Sequence, residues 1–580
     1  MTKPFAPVSA PSQERPGKAA TRWLLAGSTL ALAACSSTPL PPWTPAPNVT
    51  QTAPRTTPAA PVTAPSAPAT PAASVTPIPS STPLQALPYG AAVAERFPDP
   101  TERYSTPGLE EGRRSFTTNS EMADLLRDLA QKNSQAAPRM SLLDAGNAQS
   151  GTPLLALVAT TAKATTPVAL DDNGHPTVLI VAGQQGDAPA STEAVLALAR
   201  ELGQGGLLAP LLEQINIILV PRANPDGFDR DTAATADGTD LRFDHLQLKT
   251  PEARFLAKLA RDYRVAAVID AGEFAAIEPT LQRFGAVRAN DVGLQYAVTP
   301  NVNEFVSKAA REWLYLPTTN ALKQAGLVVD WAYEPAGNSA DAGFAMGTIE
   351  PTTLRNASGL KNAASMDILS RGADLDRTHI QRRVYSHVKA LTAALQAVAG
   401  RAADLRKVQT FVARDVASKA CRGTTAIHSI PRAEQRDVTL LDAASAQLVQ
   451  KPAPWASSLG MNTSVTRPQA CGYWLSANAV QATELLSMLG VNVQRVAELA
   501  PLQAESYQSQ GSTSTFTVSS TPMEAPPGSY YISMNQPLAY LAAAALEPDT
   551  RYSYFQTGVL RSLQDIARVT ALPNIVFEEE

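Results

Sequence analysis

The sequence Pro176-Thr-Val-Leu-Ile-Val-Ala-Gly-Gln-Gln-Gly-Asp-Ala-Pro189, followed by Ala190-Ser-Thr-Glu-Ala-Val-Leu-Ala-Leu-Ala-Arg200, decides the fold. Thr177 to Ala182 is an unbroken apolar run with β-branched residues, which predicts a buried strand of a mostly parallel sheet. A glycine-bearing turn follows, and Ser191-Thr192 are expected to cap an Ala/Leu-rich helix. In an open α/β sheet, the turn at the carboxyl end of a strand is where ligand chemistry is usually built.

Working outward, the same grammar repeats. Ser120 to Gln131 reads as an amphipathic helix, and Met140 to Asp144 and Pro153 to Thr160 read as the first strands. Ile215 to Pro221 is a further buried strand that runs into Arg222-Ala-Asn-Pro-Asp-Gly-Phe228, a turn by composition. Pro251 to Tyr263 predicts a helix, Ala266 to Ala271 a strand, and Thr378 to Val398 a long helix. Strand and helix alternate, so the fold class is α/β, with a mostly parallel or mixed sheet flanked by helices over residues 91–400. Residues 401–580 form a smaller companion module, α/β or α+β, with helices at Ala479 to Leu489 and Gln536 to Ala545 and a strand near Gly528.

Four frames in this order carry a resemblance. The Gly183-Gln-Gln-Gly-Asp-Ala-Pro189 turn resembles the zinc-binding turn of the carboxypeptidase A-like zinc carboxypeptidases, whose bacterial members read Gly-Gln-His-Gly-Asp-Glu-Pro. Asp270-Ala-Gly-Glu-Phe274 is similar to their Asp-Ala-His-Glu-Tyr, and Ser365-Met-Asp-Ile-Leu-Ser-Arg-Gly372 to the strand that carries their general base. Gly238-Thr-Asp-Leu-Arg-Phe-Asp-His245 resembles the segment whose Asn-Arg pair grips a substrate carboxylate, and the Asn224 turn follows the equivalent strand. The resemblance therefore implies that the family's three metal ligands fall at Gln185, Ala188 and Gly272, and its base at Leu369. Arg242 and Phe243 occupy the Asn-Arg pair, and a further oxyanion-stabilising Arg maps to Ala233.

These substitutions bear on the chemistry directly. Catalytic zinc needs three N/O ligands and an open position for water, and a carboxylate must take the proton from that water. Gln185 offers a neutral amide, while Ala188, Gly272 and Leu369 offer nothing. The expectation is no catalytic residue, no metal ligand and no cofactor, with zinc only if the site is rebuilt. What remains in the cleft is Asp187, Arg222, Asn224, Arg242, His245 and Glu273. Asp187 and Glu273 read as hydrogen-bonding remnants that hold the turns, and Arg222 and Arg242 as cations for a ligand carboxylate. His379 and His387, with Arg382 and Arg383, read as a solvated helix face, and His175 and His428 as turn residues. No G-x-S-x-G elbow, P-loop or G-x-G-x-x-G follows a strand, so another hydrolase or nucleotide chemistry has no motif.

The amino terminus places the chain. Lys3, Arg15, Lys18 and Arg22 precede the apolar stretch Trp23 to Ala34, and Leu32-Ala-Ala-Cys35 fits a lipoprotein processing site, so residues 1–35 read as a signal peptide and Cys35 as the lipidated residue. Ser36, rather than Asp, points to the outer membrane facing the periplasm. Removing the signal takes away four basic residues and Glu14, moving the formal charge from −4 to −7. With no basic cluster in the sequence, nucleic acid is not an expected partner. Residues 36–90 read as a tether, with 15 prolines and one charge, Arg55, between Pro39 and Pro88. Cys421 and Cys471 are then an even pair in an oxidising compartment and are expected to form a disulfide.

The reading is an envelope lipoprotein, held to the membrane by its lipid, whose carboxypeptidase-like domain binds a peptide or cell-wall peptide, or scaffolds, without cleaving. The alternative is an active metallocarboxypeptidase with a site rebuilt from Asp187, Glu273 and a distant His. A third is an envelope spacer in which the tether and partner contacts matter more than the cleft. The sequence gives no oligomeric state.

Overall fold

The structure, a computed structural model, describes residues 89–135, 137–337, 343–509 and 516–579. The expected signal peptide, Cys35 and all but the last two residues of the tether lie outside them.

The central sheet has eight strands: β1 (Arg139–Asn147), β2 (Pro153–Thr160), β3 (Thr177–Ala182), β4 (Asn216–Val220), β5 (Ala267–Phe274), β6 (Val292–Tyr296), β7 (Val329–Trp331) and β8 (Ala364–Arg371). Their order is β1-β2-β4-β3-β5-β8-β6-β7, parallel from β4 through β8 and antiparallel where β1, β2 and β6 join. The class is mixed α/β, with helices on the sheet and a further C-terminal sheet. The apolar run of β3 is explained by its position, since every residue in it is buried. Val178, Ile180 and Ala182 enter one core with Val195, Leu198, Leu391 and Leu395, while Leu179 and Val181 enter the opposite core with Phe255, Leu256 and Leu486. At roughly 1.5–3 kcal/mol per buried aliphatic side chain, a strand with two apolar faces is stable only between two covering layers.

The helix Pro189–Glu201 does not start as the sequence suggests. Its N-cap is Ala188, which has no side chain to accept a hydrogen bond, and Ser191 and Thr192 lie inside the first turn. The carboxylate of Glu273 on β5 takes over that role, accepting the Ala190 N–H at 2.7 Å. Thr192 instead donates to the Pro221 carbonyl at 2.7 Å and ties this helix to the end of β4.

The region after residue 400 contains an element absent from the sequence reading. Strands β9 (Thr424–Asp442) and β10 (Leu448–Pro468) form a long antiparallel hairpin, joined by Ala286–Arg288 on one side and Phe344–Met346 on the other. Beyond it, six strands make a wholly antiparallel sheet whose helices, Val480–Leu489 and Ala539–Leu546, pack into the core that also holds Leu179 and Leu256. The module is thus α+β and shares a core with the central sheet. Hydrogen bonds from Tyr554 to the Leu246 carbonyl (3.1 Å) and from Asn362 to the Pro537 carbonyl (2.8 Å) cross this boundary. Cys421 and Cys471 are disulfide-bonded, as expected.

Candidate functional site

Two turns meet at the carboxyl end of the parallel strands. The Gly183–Ala188 turn after β3 lies against the Asn224–Gly227 turn after β4 so closely that a Cβ on Gly186 would stand 2.1 Å from the Gly227 carbonyl carbon. Only glycine permits that approach. Asn224 fixes the pair: its side-chain oxygen caps the short helix Pro225–Asp229, accepting from Gly227 N at 2.9 Å, and its amide donates to the carbonyls of Gln184 (3.2 Å) and Ala233 (3.1 Å).

Gln184, rather than the neighbouring Gln185, organises the site. Its amide nitrogen donates to Asp270 Oδ2 at 2.6 Å, which leaves its oxygen to His245 Nε2, also at 2.6 Å. With the amide oriented in this way, His245 is the donor to Gln184 Oε1. Burial, helped by the positive charge of Lys361, pushes the His245 ring down to about 3, so it is neutral. Asp270 stands beside Asp367 on the adjacent parallel strand, and Asp367 is ion-paired with buried Arg355 at 2.8 Å. Burial, with the carboxylate of Asp367 alongside, raises Asp270 to about 7. Asp270, Asp367, Gln184 and Arg355 were not singled out in the sequence. The available signal was a carboxylate interrupting each of two buried strands, at 270 and at 367.

Two residues further along the same strands, Gly272 is paired with Leu369. A Cβ on Gly272 would meet Leu369 Cδ2 at 3.1 Å, so the leucine covers the position at which the resemblance puts a third ligand. Gln185 is half-buried and Ala188 is buried. This donor set does not fit zinc: one amide oxygen is present where three N/O ligands are needed. Among the described residues no group of three or more His, Cys, Asp and Glu could hold a metal ion.

The remaining cleft residues have distinct surroundings. Glu273 is fully buried, and the oxygen not used by Ala190 pairs with Arg383 at 2.5 Å. Gly372, at φ +137°, makes room for that arginine, since a Cβ there would collide with the guanidinium at 2.2 Å. Arg222 is buried, donating to Asn119 Oδ1 (2.8 Å) and the Thr117 carbonyl (2.7 Å) and stacking on Phe228 at 3.4 Å. Arg242 is partly exposed and forked onto Asp240 at 2.7 and 3.0 Å. Asp187 has one buried oxygen, Oδ1, with no hydrogen-bond partner among the described residues, and burial raises its pKa.

Two expectations are corrected here. The face of the helix Ile380–Ala399 that carries Arg383 and His387 is not solvated; both residues are buried, because the helix packs under the helix Pro189–Glu201 and the sheet. Burial pushes His387 down to about 3, and His379 lies beside Tyr89 and Phe97. His428 is in strand β9, not a turn, with its ring bonded to Ser464 at 2.8 Å.

The comparisons with known proteins agree with these frames. A family model described as zinc carboxypeptidase matches residues 122–246, the span holding the 183–188, 224–227 and 238–245 segments. "Carboxypeptidase 2" of Trichophyton rubrum is 24% identical over 478 residues, covering 78% of this chain and 86% of the relative. "Carboxypeptidase 2" of Trichophyton equinum is 24% identical over 405 residues, covering 66% and 74%. Among solved structures, carboxypeptidase A from Helicoverpa armigera aligns with TM-score 0.38 at 15% identity, over 54% of this chain and 79% of that one. A metallo-carboxypeptidase from Burkholderia cenocepacia aligns with TM-score 0.34 at 15% identity, over 48% and 69%. The family model is seated on the very turns that build the site, so over residues 122–246 the chain is similar to the zinc carboxypeptidases.

Proposed function

We propose that this protein is an envelope lipoprotein, anchored through Cys35 at the outer membrane, whose zinc carboxypeptidase-type domain does not hydrolyse peptides and acts as a peptide-binding or scaffolding module. The observation that supports this most is the Gly272–Leu369 contact, where an apolar side chain lies over a position that would need an imidazole. Without the metal there is no acidified water, and without a carboxylate at 369 no base to receive its proton. Arg242, half-exposed at the cleft, is the cation best placed to meet a peptide carboxylate. A rebuilt metal site has one group in its favour, the unpartnered oxygen of Asp187. Glu273 weighs against it, since both of its oxygens are engaged.

The test is elemental mass spectrometry on the purified full chain after incubation with zinc, alongside release of C-terminal residues from peptides. The expected result is far less than one zinc per chain and no chelator-sensitive release. Tightly held stoichiometric zinc with chelator-sensitive turnover would overturn the proposal.

A further inference from the structure

At the other end of the central sheet, a cavity of about 630 Å³ opens beside the starts of β3, β5 and β8. Arg261 and Arg264, at and just past the end of the helix Pro251–Asp262, line it together with Lys361 from the link into β8 and Arg406 and Arg414 from the helix Ala402–Ser418. Asp171 is the one carboxylate among its described lining residues, and it is already paired with Arg264 at 2.8 Å. Five basic side chains thus gather on a chain whose formal charge is −4.

Lys361 Nζ and the Arg414 guanidinium have no hydrogen bond or ion pair among the described residues. Lys361 sits at the C-terminal end of the helix Leu354–Leu360, where the helix dipole compensates it only in part. Burial and nearby Arg261 lower its pKa to about 8, so it still carries its charge at neutral pH. Among the residues outside the described ones, only Glu14, Asp341 and Glu580 carry a side-chain carboxylate. Arg254 and Lys258, on the same helical face as Arg261, line an adjoining cavity of about 740 Å³ that shares Arg261 and also holds Glu484 and Arg495. A cavity of this size, lined by five basic side chains of which two are unpaired among the described residues, and by apolar residues that include Val268 and Leu489, has the form of a ligand site.

We infer that this cavity binds a small multivalent anion carrying two or more phosphate or carboxylate groups, with Lys361, Arg406 and Arg414 as its principal contacts. The inference holds whether or not the distant cleft hydrolyses anything. Charge-assisted hydrogen bonds from these side chains make each contact matter by about tenfold or more in affinity.

The experiment is calorimetric titration of the purified full chain at low salt, with inorganic pyrophosphate in one arm and citrate in the other. Binding of at least one at about 1 mM or tighter, weakening as salt rises, is expected. Preference for pyrophosphate assigns phosphate as the recognised group, and preference for citrate assigns carboxylate. Lys361→Gln and Arg414→Glu should each weaken binding about tenfold or more, while Arg127→Gln, on an exposed helix paired with Asp124, should leave it unchanged. Arg414 is exposed, so its reversal tests the site even if Lys361→Gln does not fold. No binding of either anion up to about 10 mM, wild-type affinity in Arg414→Glu, or equal weakening by Arg127→Gln would overturn the inference.

Discussion

The two ends of the central sheet treat charge in opposite ways. At the carboxyl end, Gln184, Asp270 and His245 form one hydrogen-bonded chain, Glu273 joins Arg383 to the Ala190 N–H, and Arg222 is bonded to Asn119 and Thr117. Asp187 Oδ1, Asp367 Oδ1, Ser370 Oγ and the Arg371 guanidinium, which stacks on Phe97, are exceptions there, with no hydrogen-bond partner among the described residues. At the amino end, Lys361 and Arg414 line a cavity without a partner among the described residues. A buried polar group that is satisfied internally asks nothing of a ligand, whereas one left unsatisfied beside an open cavity is poised for one. Where the resemblance alone would direct a search for ligands, the polar groups are mostly committed to holding turns together. The unpaired cations that line an open cavity lie at the opposite end of the same strands.

Perturbing each end in turn tests this contrast, and the largest effect belongs to the carboxyl end. Glu273→Ala would leave Arg383 buried without its partner and the Ala190 N–H uncapped. Loss of roughly 3–5 kcal/mol in urea denaturation is expected, and a loss below about 1 kcal/mol would show that the pair does not hold the turn. An intermediate effect should come from Asp270. Its carboxyl, raised to about 7, keeps its proton in the folded chain between about pH 4 and 7, where the unfolded carboxyl has released it. The folded state binds more protons across that window, so stability falls as pH rises through it and levels off above. Asp270→Asn should remove this decline, on the order of 2 kcal/mol between about pH 4.5 and pH 7.5. An unchanged slope in the variant would assign the pH dependence to other groups. The smallest effect is expected at the amino end. Lys361→Met keeps the apolar stem and removes an unpaired cation, so stability should stay within about 0.5 kcal/mol of wild type or rise. A loss comparable to that of Glu273→Ala would mean that Lys361 is structurally committed after all, and the contrast between the two ends would disappear.

How legible these features were depended on how far apart in the chain their parts lie. Strand β3, its turn and the following helix could be read because six consecutive apolar residues and a glycine-rich turn act within a short span. The β9–β10 hairpin could not. Its alternation of exposed and buried residues is irregular, its register shifts at several points, and the strands that flank it are three residues long. The pairing of Asp270 with Asp367 was hidden although both residues stood inside recognised frames, because the two strands lie about a hundred positions apart and only the sheet order makes them neighbours. The basic cavity escaped for the same reason: Arg261, Lys361, Arg406 and Arg414 form no run in the sequence.

By itself the sequence determined the fold class and the turn that organises it, and the resemblance put the family's ligand and base positions at Gln185, Ala188, Gly272 and Leu369. These depend on residue identity and on local periodicity, which a short window contains. Tertiary structure alone decided that Leu369 lies on Gly272, that Glu273 caps a helix and pairs with an arginine 110 residues away, and that the unpaired cations collect at the far end of the sheet. Burial and charge pairing are set by distances between segments remote in the chain, and those distances exist only once the strands have taken their order.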